Sequence, residues 1–165
     1  YHIKQAGPTD VPLFKVGDGT DVGNAAGTTD IDGAWYWLCG TWDAPNTTAI
    51  IYVNSVNEGS EVDTAVGSIS TAQSFILGED ANAGGDYSGV QAYGHQYTSK
   101  VLTLVEITEL QWHPGGIADS MGGFWPLWGA STEQDLSGNG RTGTVTGATT
   151  STDGPPVMIG GYLPI

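Results

Sequence analysis

Eighteen carboxylates, three histidines and one cysteine are the groups in this chain that could carry out chemistry. Cleaving a glycosidic bond takes two carboxylates facing each other across a cleft. The densest carboxylate cluster, Glu58-Gly59-Ser60-Glu61-Val62-Asp63, reads instead as a solvated turn. Glu106 and Glu109 fall in a short helix, the first as part of its cap and the second exposed. His2, His95 and His113 are far apart, and no G-x-S-x-G elbow supplies a serine nucleophile. Neither a triad nor a three-histidine zinc site therefore has spacing behind it. Gly17-Asp18-Gly19 lacks the Lys-Ser/Thr sequel of a phosphate loop. Cys39 alone can form neither an intramolecular disulfide nor a cysteine zinc cluster, and its apolar neighbours predict a buried, inert thiol. No catalytic residue is assigned.

Two weaker kinds of site remain. Calcium takes oxygen ligands from Asp, Asn and backbone carbonyls. Loops 18–32, 79–86 and 135–139 hold such groups, which makes Asp80, Asp86, Asp135 and Asn139 candidate ligands. The same residues also suit turns by their own chemistry, so calcium is an option and no cofactor is required. The second kind is an aromatic platform, since an indole face can stack on the C–H groups of a sugar. Trp35, Trp37, Trp42, Trp125 and Trp128 lie inside strand-like runs, where core or interface packing is expected. Trp112, followed by His113 and Pro114, is the best exposed candidate, and Tyr87 joins Trp112 and His113 as a possible ligand contact.

The elements that must position these residues are mostly strands. Glycine supplies 26 of 165 residues, and charged residues only 13% against a usual share of about 25%, a composition that disfavours helices. The formal charge of −14 excludes nucleic-acid binding through a basic surface and opposes an anionic membrane. No apolar run approaches the roughly 20 residues of a membrane helix, so no membrane insertion is expected.

Leu13–Val16 is a short strand, and 19–33 reads as a long surface loop with room for a poorly marked strand inside it. The apolar run Trp35–Trp42 suits a strand buried on both faces. With Ala49–Val53 and a short polar link it makes an antiparallel hairpin. Val62–Ile69 is a weaker strand, Phe75–Leu77 another, and Val90–His95 alternates with the half-buried strand period. One helix is signalled near 103–110 by the capping box Thr103-Leu104-Val105-Glu106, and Pro114-Gly115-Gly116 stops it. Phe124–Trp128 is a strand that Pro126 confines to an edge or bulge, and Thr142–Gly147 is a last one. Short strands, Gly-rich turns and one short helix describe an all-β sandwich.

Six segments in order strengthen that reading. Trp35-Tyr36-Trp37-Leu38-Cys39-Gly40-Thr41-Trp42-Asp43 is similar to a "WHHVAGTYD" strand, and Ile50-Ile51-Tyr52-Val53-Asn54 to "LYVDG". Phe75-Ile76-Leu77-Gly78 is similar to "LRIG", and Ser88-Gly89-Val90 to the start of "GxIDEVRIYN". Leu102–Ile107 is similar to "LSAAEI", and Phe124-Trp125-Pro126-Leu127 with Asp135–Gly140 to "YWPL…DLSGNG". Together they resemble the laminin-G-like, concanavalin A-like jelly-roll family in its bacterial and phage form.

The resemblance implies an antiparallel jelly-roll β-sandwich over 35–152, after a loop-rich arm with one strand over 1–34 and before an extended tail over 153–165. Many relatives bind calcium at loops. The E-x-D-x-x-E pattern of the family's laminarinases is absent here. The implied function is a non-enzymatic surface or virion module for structure or adhesion, with glycan contact as an option. The alternative is an ancillary carbohydrate-binding domain of a larger secreted protein or glycoside hydrolase. The opening strands of the family look nearly missing, which would leave an edge for another chain. Partners are thus expected to be copies of the chain or a scaffold such as a capsid or tail, at an extracellular or virion surface.

Overall fold

In Val11–Gly17 every second residue is buried, Pro12, Phe14 and Val16, so one face of the strand turns inward. This strand is β2 of a computed structural model that describes residues 2–6, 10–69, 95–98, 100–117, 120–127 and 131–147. By contact, the chain divides into unit 1, residues 1–89, and unit 2, residues 90–165. Among the described residues the sheets are antiparallel and there is one short helix, as in a jelly-roll β-sandwich.

In unit 1, β1 (His2–Ala6), β2 (Val11–Gly17) and β3 (Val22–Ala26) form one sheet in that order. A second sheet holds β4 (Leu38–Asp43), β5 (Thr48–Val53) and β6 (Val56–Val62). Contacts run from β2 to β5 and from β3 to β6, so the sheets pack face to face. Phe14, Val16 and Ala25 from one sheet meet Ala49 and Ile51 from the other, joined by Val66. Small residues set the spacing. The Phe14 ring lies against Gly40, where a Cβ would overlap it. Gly59 meets the backbone of Ala26, with a would-be Cβ 2.8 Å from the Ala26 carbonyl carbon and closer still to its oxygen.

Several expectations need correction. Residues 1–34 carry three strands, not one. β3 reads Val-Gly-Asn-Ala-Ala, a sequence with little strand propensity of its own. Tertiary context forms it: Gly23 and Ala25 are buried, and Ala25 joins the core between the two sheets. The carboxylate segment Glu58–Asp63 is not a turn but mostly strand β6, and residues 63–69, expected as strand, follow it as loop. β4 begins only at Leu38, and Thr41 is its single buried residue, so it is not covered on both faces. Trp37 still joins the hairpin, because its N–H donates to Asn54 Oδ1 and its carbonyl accepts from Asn54 N–H.

Unit 2 contains β7 (His95–Thr98), helix α1 (Leu104–Trp112), β8 (Met121–Trp125), β9 (Thr132–Glu133) and β10 (Gly143–Thr144). β7 pairs with β8, and β9 with β10. β8 stops before Pro126, so the proline terminates the strand instead of interrupting it. The last strand shrinks from 142–147 to two residues. The boundary between units falls inside the expected 35–152 domain. Expectations for 75–77, 79–89, 90–94, Trp128 and the tail 153–165 lie outside the described residues.

Candidate functional site

Helix α1 carries the most distinctive surface in the described residues. Its start is fixed by the capping box the sequence signals. Thr103 Oγ1 accepts from Glu106 N–H at 3.4 Å, and Glu106 Oε2 accepts from Thr103 N–H at 2.8 Å. Lys100 Nζ donates to Glu106 Oε1 at 2.6 Å. The Lys100 hydrogen bond, with those from the Thr103 N–H and hydroxyl, holds the Glu106 carboxyl down at about 2. The end is set by His113, whose N–H donates to the Glu109 carbonyl, and by Gly115 at φ +85°, a conformation that favours glycine.

One face of α1 buries Ile107 and Leu110. The other leaves Leu104 56%, Val105 77% and Trp112 46% exposed. Leu104, Val105, Thr108, Glu109, Trp112 and His113 line a shallow, open depression. The Thr108 hydroxyl donates back to the Leu104 carbonyl at 2.8 Å, which satisfies it within the helix. The structure thus brings Trp112 and His113 together on one surface. Leu104, Val105, Thr108 and Glu109 were not read from sequence as ligand contacts, although Glu109 was read as exposed. Their spacing of i, i+1, i+4 and i+5, continuing to Trp112 at i+8, was the available signal. Tyr87 lies outside the described residues.

Of the candidate calcium ligands, Asp80 and Asp86 also lie outside the described residues, while Asp135 and Asn139 share one loop. Buried Asp135 accepts through Oδ1 from Phe124 N–H at 3.1 Å and Ser137 N–H at 2.9 Å, and through Oδ2 from Arg141 N–H at 2.9 Å. Burial raises its affinity for a proton, but the Ser137 hydroxyl and these backbone donors prevail and hold the carboxyl below the usual range. Asn139 Nδ2 donates to the Met121 and Gly122 carbonyls, and Arg141 Nη1 also reaches Gly122 O. Both residues tie the loop onto β8. Among the described residues, no cluster of three or more His, Cys, Asp or Glu is arranged to hold a metal.

The carboxylates of β6 do comparable work in unit 1. Glu58 falls at the register shift between the pairs Ile51↔Gly59 and Tyr52↔Asn57, so it is the extra residue of a bulge. Residues 58 and 61 of a regular strand would face opposite sides. With the bulge, both reach the β3 segment. Glu58 accepts from Thr28 N–H and Thr29 N–H, each at 2.9 Å, and from the Thr29 hydroxyl, while Glu61 accepts from Asn24 N–H. Burial would raise Glu58, but the Thr29 and Thr28 donors outweigh it and lower its proton affinity. Asp18 accepts from Thr20, Asp21 and Gly67 N–H, and is lowered to about 2 chiefly by the Asp21 and Thr20 bonds. Burial alone pushes the half-buried Cys39 thiol up to about 12, the inert state expected of it.

No curated protein and no solved structure matches the chain. A family model described as the concanavalin A-like lectin/glucanases superfamily matches residues 2–102. The match opens at β1, so the strands of residues 1–34 fall within the matched residues. It ends one residue before the cap of α1, having taken in all six strands of the two-sheet unit. The chain belongs to the concanavalin A-like lectin/glucanase superfamily.

Proposed function

We propose that this chain is a non-catalytic recognition and adhesion module, displayed at an extracellular or virion surface, that contacts glycans through the depression on α1. The observation that carries this reading is the placement of Trp112, nearly half exposed, beside Glu109 and His113 on an apolar helix face. A flat aromatic surface flanked by hydrogen-bonding groups is what sugar recognition requires. The carboxylates support a non-catalytic role. A glycosidase acid needs its pKa raised, whereas Glu58, Glu106 and Asp135 are all lowered by donors that already occupy them. On this reading the module works as copies of itself or on a scaffold such as a capsid or tail, and needs no cofactor.

A broad glycan array probed with the native chain and Trp112→Ala tests the proposal. Binding to at least one glycan, lost in Trp112→Ala with an unchanged melt, is the expected result. Reducing ends released from laminarin, and abolished in Glu58→Gln, would overturn it.

A further inference from the structure

Building on the recognition reading above, we infer that the α1 depression selects ligands bearing a primary ammonium group, of the amino-sugar class, over their N-acetylated or acidic counterparts. Three features converge at its C-terminal end. Trp112 offers an indole, the best aromatic partner for a cation. Glu109, three residues earlier and therefore a neighbour on the helix surface, supplies the only carboxylate among the described lining residues. The glycine at 116 leaves room beside it, since a Cβ there would sit 3.6 Å from Glu109 Oε1. The third feature is the helix end itself. The carbonyl end of a helix carries partial negative charge and favours cations, yet the last turn of α1 contains no basic residue.

Among the described residues the lining has neither Lys nor Arg, so it presents no fixed positive charge to an anion. The nearest basic residue in sequence, Lys100, is engaged by Glu106 at the opposite end of the helix. The net charge of −14 adds a long-range field that draws cations in and repels uronates, sulfates and sialic acids. Toward the helix start, Leu104 and Val105 extend the apolar strip over about 12 Å, at about 1.5 Å per residue. That length accommodates the C–H face of a neighbouring sugar once the ammonium is seated at Trp112 and Glu109.

Calorimetric titration at physiological salt with three oligomers tests this: glucosamine, N-acetylglucosamine and galacturonate. The glucosamine oligomer should bind at least tenfold more tightly than the other two. Trp112→Ala should weaken it at least tenfold and Glu109→Gln severalfold, while Asp32→Asn, an exposed charge in unit 1, should leave it unchanged. Equal weakening by Asp32→Asn and Glu109→Gln would mean diffuse attraction to an acidic surface and overturn the inference. Equal affinity for the amine and N-acetyl oligomers, indifferent to Glu109→Gln, would overturn it while leaving sugar recognition standing. If none of the three binds but the array yields a Trp112-dependent ligand, the inference alone falls. If the array is also blank, both fall.

Discussion

Asp135 ties the 135–141 loop to β8 alongside Asn139, and removing its charge should loosen that loop in a measurable way. Its carboxylate satisfies the backbone N–H groups of Phe124, Ser137 and Arg141, and the Trp125 indole N–H donates to the Arg141 carbonyl at 2.7 Å. A hydrogen bond to a charged group contributes about 1.5–3 kcal/mol when water cannot replace it. Water can reach the exposed loop at Arg141 but is poorly placed to reach Phe124 in β8, so the three bonds do not count in full. Asp135→Ala should therefore cost about 3 kcal/mol. Asp135→Asn keeps one acceptor oxygen for Phe124 and Ser137 but turns an amide toward the Arg141 N–H, and should cost about 1–2 kcal/mol.

The pH dependence gives a sharper check. The native carboxyl is depressed, so its contribution is complete above the unfolded value of about 4 and is lost as pH falls through the lower native value. The deficit of Asp135→Asn should then be largest near neutrality and shrink in acid. Amide hydrogen exchange at Phe124 and Arg141 reads the local opening, and urea titration reads the whole unit. A deficit that stays constant from neutral to strongly acid pH, or unchanged protection at Phe124, would refute the reasoning.

Three further outcomes are expected. Asn54 and Ser55 lie at φ 48° and 65° in the two-residue turn closing the Val53↔Val56 pair, so Ser55→Gly should stabilise unit 1 by about 0.5–1 kcal/mol in urea melts. Gly59→Ala should destabilise it by about 2 kcal/mol or more, because the new methyl meets the Ala26 backbone instead of a side chain that could swing away. Thr103→Ala should cost about 1 kcal/mol by removing the cap of α1, read as faster amide exchange in the first helical turn.

Features written in local chemistry were legible in the sequence. The capping box at Thr103 and Glu106 located α1 to within two residues of its observed end, and the apolar runs located the β4–β5 hairpin. Trp112 and His113 could be paired because they are adjacent, and the turn chemistry of Asp135 and Asn139 was visible as an alternative to metal binding. Features that depend on a distant segment were not legible. β3 has no apolar period of its own, since its two buried positions are Gly23 and Ala25, which add little to a hydrophobic pattern. Glu58 looked like solvated loop because its partners, Thr28 and Thr29, are 30 and 29 residues away.

The carboxylates share one logic that the charge total alone conceals. A chain with 18 acids and 4 bases cannot neutralise its carboxylates by ion pairing, and Lys100–Glu106 shows what little pairing the described residues offer. Asp18, Glu58, Glu61 and Asp135 instead accept backbone N–H groups that would otherwise lack partners. Three of them stand where β3 and the turns flanking it meet β6 and the loop after it. There the sheets face each other without a ladder between them, and the bulge at Glu58 aims its side chain at the gap. An unpaired strand edge invites another chain unless something covers it. Here Glu61 reaches Asn24 in β3 and Glu58 the turn after it, which adds to the five-pair ladder with β2 that holds this Gly-Asn-Ala strand in place.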